Sequence, residues 1–363
     1  MATERSEISV ERQMSKKISV IVPCYNVSPY VDRCMRSLES QTMGMEDLEI
    51  ILINDASTDA TLGKLMLWEM KYPDSIVVIP LEQNVMQGAA RNIARSYCSG
   101  EYIAYLDADD WLLPDALKMV YDAAAENEAD IVNYLSKRTY KGPEEKNSDY
   151  ESDIPDELVT IESPAERMEL FTGDCPLARG CWDKLFRRDF VEENDLLFAE
   201  GVYDEESLFT IPAYMKMKRV FFLNKYLHRY FQNPVSTSYN LAVSLRRRDD
   251  NAKVWLATCE RLRADGSLAE NPELVERFFV INYFVRSFVY AAQRHIPFDA
   301  PTVCAMQDKV RELFPDYKNN RSLRGGGFYT EALKFMDIPV NDANIDSFNA
   351  AWEQIVAAFG EDL

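Results

Sequence analysis

The chain has 363 residues, a length that suits two domains of ordinary size. Hydrophobic residues make up 47% of the sequence and charged residues 28%, which excludes a disordered tail, a collagen-like chain and a low-complexity chain. Sixty acidic residues against 40 basic residues give a net charge of −20, so we expect no binding to nucleic acid. An anionic small substrate would need local positive charge, which a divalent cation held by carboxylates could supply.

The seven cysteines show no CxxC pattern and no Cys/His ligand pair, which indicates reduced thiols in a cytosolic protein. Residues 1–16 are predicted to form a polar tail, and neither a signal peptide nor a membrane-spanning segment is predicted. We therefore expect a cytoplasmic protein, and peripheral contact with the inner face of the plasma membrane stays open as an alternative.

Apolar runs of strand length alternate with helical patterns between residues 17 and 140. Strands are predicted at 18–23, 48–53, 76–81, 102–107 and 130–135, and helices at 28–41, from about 59, at 88–98 and from about 114. This alternation predicts an α/β fold with a doubly wound, mostly parallel sheet. Ligands of such sheets bind beyond the carboxyl ends of the strands.

The remaining sequence divides into a loop, an apolar block and a helical region. The polar stretch 142–157 predicts an exposed loop, and the apolar block extends over 158–240. Residues 241–363 carry apolar residues at helical spacing, which predicts an all-α region. We expect the aromatic segment 278–292 to pack internally, while contact with a second copy of the chain or with a lipid-linked acceptor stays open. The segment 324–332 predicts a flexible joint, and a tight turn at the glycines 325–327 stays open.

Unusual polar residues follow three of the predicted strands. Cys24–Asn26 follow the first strand, Asn54 and Asp55 the second, and Asp107–Asp110 the fourth. The dinucleotide pattern GxGxxG and the P-loop pattern GxxxxGK[ST] are both absent from the sequence, so another device must hold any phosphate.

The sequence LDADD offers that device. Asp107 and Asp109 are two residues apart, and in an extended turn their carboxylates can point to one side as hard ligands for Mn²⁺ or Mg²⁺. The alternative is that Asp109 or Asp110 caps a helix beginning near Trp111. A position at a strand end, beside Asp55, favours the metal site.

Four segments resemble the family 2 glycosyltransferases with the GT-A fold, in the expected order and spacing: SVIVPCYNVSPYVDRCMRSLESQT, INDASTDAT, QNVMQGAARNIA and GEYIAYLDADDWLLPDAL. The resemblance covers about residues 17–240, with nucleotide-sugar binding at 17–140 and the acceptor side at 158–240. The best match is to bacterial enzymes that build cell-surface polysaccharides and carry a helical C-terminal extension, here 241–363.

The resemblance implies roles for residues in the first half of the chain. Pro23, Tyr25 and Asn26 would line the nucleotide pocket, and Asp55 would accept a hydrogen bond from the uracil ring of a UDP-sugar. Arg91 would lie near the sugar or the diphosphate.

The resemblance also places the acidic pair. Asp107 would contact the ribose or a metal-bound water, and Asp109 would ligate Mn²⁺ or Mg²⁺. Family members often have DDGS where this chain has Asn54, Asp55 and two small residues, so the first Asp of that motif is missing.

Inverting transfer needs a base that takes the proton of the acceptor hydroxyl. The segment EGVYDEESLF resembles the family segment that carries the base, and its alignment favours Glu206, with Glu205 and Asp204 left open. A solvated acidic helix start is the alternative interpretation.

Further candidates come from two later segments. GCWDKLFRRDF resembles the family segment with Trp-Asn-Lys-Leu, so Trp182 could form a wall for the acceptor or belong to the core, and Lys184 could support the acidic cluster. In LHRYFQNPVSTS, Arg229 is the candidate for a contact with the diphosphate from a mobile loop. His228 and His295 have no metal-ligand partner in the sequence and are expected to be structural.

The expected function is that of a metal-assisted inverting glycosyltransferase. It would use a nucleotide-sugar donor, most simply a UDP-sugar, and a glycan or lipid-linked saccharide as acceptor, in the synthesis of cell-surface polysaccharide. The alternative is a non-catalytic nucleotide-sugar-binding protein with the same fold, because the usual Glu-Asp pair is replaced by Glu205-Glu206. A homo-oligomer formed through the C-terminal helices also stays open.

Overall fold

The computed structural model describes residues 16–140, 150–173, 177–233, 241–324 and 327–359. Nearly all of the predicted polar tail lies outside the described residues. Much of the predicted loop 142–157, residues 234–240 and residues 325–326 also lie outside the described residues. The flexible joint predicted at 324–332 is wrong for its described part, because Gly327–Leu333 form a helix.

Within the described part of the chain, nine strands form one sheet. They are β1 (Ile18–Cys24), β2 (Leu48–Asn54), β3 (Ile76–Pro80), β4 (Tyr102–Tyr105), β5 (Trp111–Leu112), β6 (Ile131–Thr139), β7 (Glu157–Thr160), β8 (Lys184–Arg187) and β9 (Arg219–Phe231). The strand order is β3-β2-β1-β4-β8-β6-β9-β5, and β7 pairs with β9. All five predicted strands are confirmed, because β-branched apolar runs of this length pack well in a buried sheet.

The sheet is mixed. β1, β2, β3 and β4 are mutually parallel, as the alternating pattern predicts. β8 is antiparallel to β4 and β6, and β9 is parallel to β6 but antiparallel to β5 and β7. Each antiparallel pair therefore includes at least one of the strands β7, β8 and β9, which belong to the later apolar block. The α/β fold class is confirmed, with the parallel part confined largely to the first half of the chain.

Helices cover both faces of this sheet. The first seven are α1 (Val31–Glu39), α2 (Thr61–Lys71), α3 (Met86–Arg95), α4 (Ala116–Asn127), α5 (Pro164–Thr172), α6 (Arg188–Glu193) and α7 (Ser207–Lys216). Successive residues of β1 enter different cores: Ile21 belongs to one apolar cluster, whereas Val20 and Val22 belong to the other. This period of two is expected when both faces of a sheet are covered.

The described C-terminal region is helical, as predicted. It contains α8 (Leu241–Ala264), α9 (Ser267–Glu270), α10 (Pro272–Phe279), a π-helix (Val280–Val285), α11 (Arg286–Gln293), α12 (Ala300–Leu313), α13 (Gly327–Leu333) and α14 (Ile345–Phe359), with short 3₁₀ turns between some of them.

These helices share an apolar core with the sheet. One cluster contains both Ile21 of β1 and Trp255 of α8. The predicted internal packing of the aromatic segment is confirmed: Phe284 and Phe288 are buried, and the Phe288 ring stacks on Trp352 of α14 at 4.9 Å between centroids. None of the helices in the described ranges is long and apolar enough to cross a membrane.

Candidate active site

The carboxyl ends of β1, β2 and β4 open into a cavity of about 410 Å³, which we call the strand-end cavity. The parallel register brings these ends to one edge of the sheet, since Cys24 lies beside Asn54 and Ile21 beside Tyr105. Eleven candidate residues line the cavity: Pro23, Tyr25, Asn26, Asp55, Arg91, Asp107, Asp109, Trp182, Asp204, Glu205 and Glu206. The structure thus brings together residues that lie more than 180 positions apart in the sequence.

One end of the cavity is formed by the loops that follow β1 and β2. Tyr25 is 48% exposed, so its ring is free to meet a ligand. Asn26 has the left-handed φ of 53°, and its Oδ1 accepts a 2.8 Å hydrogen bond from the backbone N–H of Thr58. Asn tolerates this conformation better than most residues, and its side chain here joins the two loops.

Asp55 binds the start of α3. Its two carboxylate oxygens accept hydrogen bonds from the backbone N–H groups of Val85 at 2.7 Å and Met86 at 3.0 Å. Burial raises the pKa of Asp55, and these two backbone donors oppose that rise. A carboxylate has about four lone-pair sites, so Asp55 can accept a further hydrogen bond from a ligand.

The acidic pair lies beyond β4. Asp107 Oδ1 accepts a 3.0 Å hydrogen bond from Arg91, and Asp109 Oδ2 accepts one of 3.1 Å from the amide of Asn233. Burial raises the pKa of Asp109 to about 6, and the charges of Asp110 and Asp107 add to the rise. Arg33 donates to the backbone carbonyl oxygen of Asp109, and a cation bound at the Asp109 carboxylate would offset the repulsion from Asp110 and Asp107.

Asp110 has a different role from its neighbours. Its Oδ1 accepts a 2.7 Å hydrogen bond from the N–H of Phe231, and its Oδ2 lies 3.2 Å from Nε2 of His228. Both side chains are fully buried, so His228 has the structural position expected of it. The helix-capping alternative is wrong, because Trp111 begins β5 rather than a helix.

Arg91 joins the two acidic groups of the site. Its guanidinium is only 2% exposed, and it donates to Oε1 of Glu205 and Oδ1 of Asp107. Burial by itself would lower the pKa of Arg91, but the surrounding acidic groups hold it well above its ordinary value. Arg91 therefore stays charged and fixes the distance between the acidic pair and the opposite wall.

Glu206 forms part of that opposite wall, at the start of α7. Its Oε1 accepts a 2.9 Å hydrogen bond from the backbone N–H of Cys181. Burial raises the pKa of Glu206 to about 7, the charge of Glu205 adds to the rise, and Arg91 opposes it. The interpretation as a solvated helix start is wrong for Glu205, which is 6% exposed.

In the segment 180–190, Trp182 lies at the cavity, but Lys184 does not contact the acidic cluster. Trp182 lines the strand-end cavity and stacks on His228 and Tyr230, with centroids 5.0 Å and 5.5 Å away. Lys184 does not support the glutamates: its buried ammonium group donates to Asp183 and to the carbonyl oxygen of Gly180. Asp183 stands where the resembled segment has Asn, and its carboxylate pairs with the ammonium group of Lys184.

Arg229 is the candidate that the structure places elsewhere. It lies inside β9, opposite Trp111, and not in a loop. Its buried guanidinium donates to the carbonyl oxygen of Tyr226 at 3.0 Å, and it does not line the strand-end cavity. Pairing in the strand, rather than the local sequence, decided its position.

Several polar residues of the cavity are not identified from the sequence, among them Arg247, Tyr30 and Asn233. Arg247 of α8 lines it, with Nε 3.2 Å from Asp204, so the helical region does contribute to the site. Tyr30 and Asn233 also line it and hydrogen-bond to each other at 3.0 Å. The run RRR at 246–248 was the only visible signal of Arg247, and a charged run on a helix usually indicates a solvated face.

Gly88 of α3 permits the close approach of the segment that carries Glu205. A Cβ at Gly88 would lie 2.0 Å from the carbonyl oxygen of Ala199 and 3.1 Å from Cβ of Glu205. We expect Gly88→Ala to lower the free energy of unfolding by about 1–3 kcal/mol and to reduce activity, because α3 must move away from this segment. Denaturant titration measures the loss of stability, and the rate of UDP-sugar turnover measures the loss of activity.

Gly63→Ala in α2 is the matched control. Nothing lies within 4 Å of a Cβ built there, so this variant should gain about 0.5–1 kcal/mol of stability and keep its activity. Equal behaviour of the two variants would contradict the proposed contact of Gly88.

The structure shares its fold with solved glycosyltransferases of the GT-A class. The crystal structure of S. aureus TarS 1–349 in complex with UDP-GlcNAc superposes with a TM-score of 0.69 at 21% identity, over 95% of this chain and 92% of that one. This likeness confirms the fold. Residues 19–193 match the family described as Glycosyl transferase family 2, and this part of the chain belongs to that family.

Curated relatives are glycosyltransferases of several kinds. A poly(ribitol-phosphate) beta-glucosyltransferase of Bacillus spizizenii is 32% identical over 205 residues, which are 56% of this chain and 30% of the relative. A cholesterol galactosyltransferase of Borreliella burgdorferi is 26% identical over 338 residues, 89% of each chain. The chain thus spans about a third of the length of the first relative and most of the second.

Proposed function

We propose that the protein is an inverting glycosyltransferase that moves a sugar from a UDP-sugar to a hydroxyl group of a glycan or glycolipid, in the synthesis of cell-surface polysaccharide. One observation carries the proposal. A single cavity holds the strand-end residues, the acidic pair and, on the opposite wall, a glutamate with a pKa near neutrality. The binding of UDP-GlcNAc by TarS supports the choice of donor, and the poly(ribitol-phosphate) relative supports the class of acceptor.

The donor nucleotide would occupy the end of the cavity near β1 and β2. The half-exposed ring of Tyr25 and the ring of Pro23 would contact the base, and Asp55 would accept a hydrogen bond from it. Arg91 is already bound to two carboxylates, so it would act on the sugar and diphosphate mainly by holding Asp107 and Glu205 in place.

The acidic pair fits a divalent cation. Asp109 and Asp107 offer hard oxygen ligands, and the pKa of Asp109 is raised by burial and by the charges of Asp110 and Asp107, which a bound cation would offset. The described residues contain no group of three or more His, Cys, Asp or Glu side chains that could hold a metal alone, so phosphate oxygens and water would complete the ligand set. A bound Mn²⁺ or Mg²⁺ would stabilise the charge of the departing diphosphate.

The transfer step follows from the position of Glu206. The carboxylate of Glu206 would take the proton of the acceptor hydroxyl as the acceptor oxygen attacks the anomeric carbon of the sugar. The bond between that carbon and the diphosphate oxygen breaks, and the nucleoside diphosphate leaves with the bonding electron pair. Attack opposite the leaving group inverts the configuration at the anomeric carbon.

Glu206 is the favoured base among the three acidic candidates. Glu205 is bound by Arg91, and Asp204 lies 3.2 Å from Nε of Arg247, so each is already paired with an arginine. The pKa of Glu206, near 7, suits a group that must accept a proton at neutral pH and release it afterwards.

A panel of nucleotide sugars tests the proposed function. The purified chain is incubated with UDP-, GDP- and dTDP-sugars, with and without Mn²⁺, and donor hydrolysis or transfer is followed by mass spectrometry. Cation-dependent turnover of a UDP-sugar supports the proposal. Nucleotide-induced thermal stabilisation without any turnover would support the non-catalytic binding protein instead, and no stabilisation by any nucleotide would contradict both.

Asp109→Asn should remove the effect of the cation on nucleotide binding. The amide keeps an oxygen for the hydrogen bond from Asn233 but is a poor ligand for Mn²⁺, so we expect the Mn²⁺-dependent part of the UDP-induced Tm increase to disappear. Differential scanning fluorimetry with UDP and EDTA or Mn²⁺ measures this.

The exposed Asp342→Asn variant is the charge-matched control and should behave as the wild type. A wild-type response to Mn²⁺ in Asp109→Asn would show that Asp109 is not a metal ligand.

A further inference from the structure

A second cavity, of about 460 Å³, lies between the segment around Arg179 and the C-terminal helices. We call it the arginine cavity. Its walls include Arg179 and Trp182 on one side, and Ile281, Asn282 and Arg286 from the π-helix and the start of α11 on the other. It therefore lies where the helical region meets the catalytic half of the chain.

The arginine cavity adjoins the strand-end cavity. Trp182, Asp204 and Glu206 line both cavities, so these three side chains form a shared wall. Glu205, Asp107 and Asp109 line only the strand-end cavity. A molecule in the arginine cavity would thus reach Glu206 from the side away from the acidic pair.

Two arginines of this cavity have no bonded partner. Among the residues that the structure describes, neither Arg179 nor Arg286 takes part in a hydrogen bond or an ion pair. Burial and the charge of Arg286 lower the pKa of Arg179, and Arg247 adds to the effect, whereas the charges of Asp204 and Glu206 oppose it. In a protein with 60 acidic residues, such a concentration of positive charge is unusual.

The backbone around Arg286 is also unusual. Residues Val280–Val285 form a π-helix, a conformation that is rare and is found frequently at functional sites. Ile281 and Arg286 are five residues apart, which is the hydrogen-bond spacing of a π-helix, and both line the cavity. The π-helical hydrogen bonds are less favourable than those of an α-helix, and this segment ends directly before Arg286.

We infer that the arginine cavity is an acceptor subsite for an oxyanion, a phosphate or a carboxylate carried by the acceptor sugar, bound by Arg179 and Arg286. This inference rests on the proposed function, since it assigns the acceptor of that reaction. Guanidinium groups bind both kinds of oxyanion through paired N–H donors. With the anion held there, the neighbouring acceptor hydroxyl lies beside Glu206 in the shared wall, opposite the donor.

Calorimetric titration of three sugars tests this subsite. The chain is first saturated with UDP and Mn²⁺, which fill the strand-end cavity, and then titrated with glucose, glucose 6-phosphate or glucuronate. We expect at least one of the anionic sugars to bind about tenfold more tightly than glucose, and the stronger of the two identifies the oxyanion. Equal affinity for all three sugars would overturn the inference.

Variants connect the binding to the two arginines. Arg286→Gln and Arg179→Gln should each weaken binding of the preferred anionic sugar about tenfold, and less so at high salt. The exposed Arg263→Gln on α8 removes the same charge away from both cavities and should leave the affinity unchanged. An equal loss of affinity in all three variants would show that only the net charge of the protein matters, and would overturn the inference.

The controls separate this inference from the proposed function. A UDP-induced Tm increase in the Arg286→Gln and Arg179→Gln variants shows that they are folded. Turnover of a UDP-sugar together with no preference for anionic sugars would reject the subsite and keep the transferase. Absence of any nucleotide binding would reject the transferase itself.

Discussion

Glu206→Gln should slow sugar transfer about a thousandfold while the donor still binds. The amide cannot take the proton of the acceptor hydroxyl, and a positioned general base typically contributes a factor of about 10² to 10⁴. It can still accept the hydrogen bond that the N–H of Cys181 donates to Glu206, so the start of α7 stays in place. Initial rates at saturating donor, together with UDP-induced thermal shifts, measure the two parts of this prediction.

The pH profile provides a second measurement. Because the pKa of Glu206 is raised to about 7, the base is protonated at pH 5 and ionised at pH 8. Transfer by the wild type should therefore rise as the pH increases through 7. A carboxyl group with a raised pKa in the folded state contributes stability below its unfolded pKa and loses that contribution as pH rises through its folded pKa. The contribution of Glu206 to stability should thus fall over the range where activity rises.

The neighbouring acids are the matched controls. Glu205→Gln and Asp204→Asn each remove one charge from the same segment, and each disturbs an ion pair, with Arg91 or with Arg247. We expect both to lose less activity than Glu206→Gln and to keep a rise of rate with pH. A larger loss in Asp204→Asn than in Glu206→Gln, with a flat pH profile, would move the base to Asp204.

Arg91→Met should lower the free energy of unfolding by about 3–5 kcal/mol. The guanidinium of Arg91 is 2% exposed and bridges Glu205 and Asp107, so its removal leaves a buried carboxylate without a counter-charge. Met fills much of the space but loses the cation–π contact with the ring of Phe198, whose centroid lies 5.2 Å from the guanidinium carbon. Denaturant titration measures the loss.

Arg95→Met, one helical turn further along α3, is the control for this prediction. The guanidinium of Arg95 is 21% exposed, and its carboxylate partner Asp195 is 65% exposed and 3.6 Å away. Arg95 also donates to the carbonyl oxygen of Leu196, so the ion pair and this hydrogen bond together contribute about 1–2 kcal/mol. If Arg91→Met costs no more than Arg95→Met, the bridge is not an important source of stability. Adding Glu205→Gln to Arg91→Met should recover part of the loss, because one uncompensated charge is then removed.

Much of the first half of the fold could be predicted from local sequence. The runs at 18–23 and 48–53 are apolar except for Ser19 and Glu49, as expected for strands buried on both faces, and both form parallel strands. The polar residues at their ends then had to lie at one edge of the sheet, so the positions of Asp55 and Asp107 near each other followed from the topology.

The later strands were harder to predict because their partners are distant in sequence. Lys184 begins β8, which is inserted between β4 and β6, and its charge is neutralised by Asp183 next to it rather than by the glutamates. The sequence predicts a loop position for Arg229. In the structure Arg229 lies in β9, which pairs with β5, and its side chain donates to the backbone carbonyl oxygen of Tyr226. The local sequence does not indicate the position of either Lys184 or Arg229, because each position depends on which strand pairs with its own strand.

The sequence by itself determined the α/β class, the strand ends at which the candidate site lies and the acidic residues proposed for it, because these depend on local apolar periodicity and on the chemistry of each side chain. Only the tertiary structure decided the arrangement: Arg91 between Asp107 and Glu205, Arg247 of α8 at the rim, and Glu206 in the wall shared by two cavities. The reason is physical. Burial and the charges of neighbours from distant parts of the chain set the pKa of Glu206 and the pairing of Arg91, and neither quantity exists until the chain has folded.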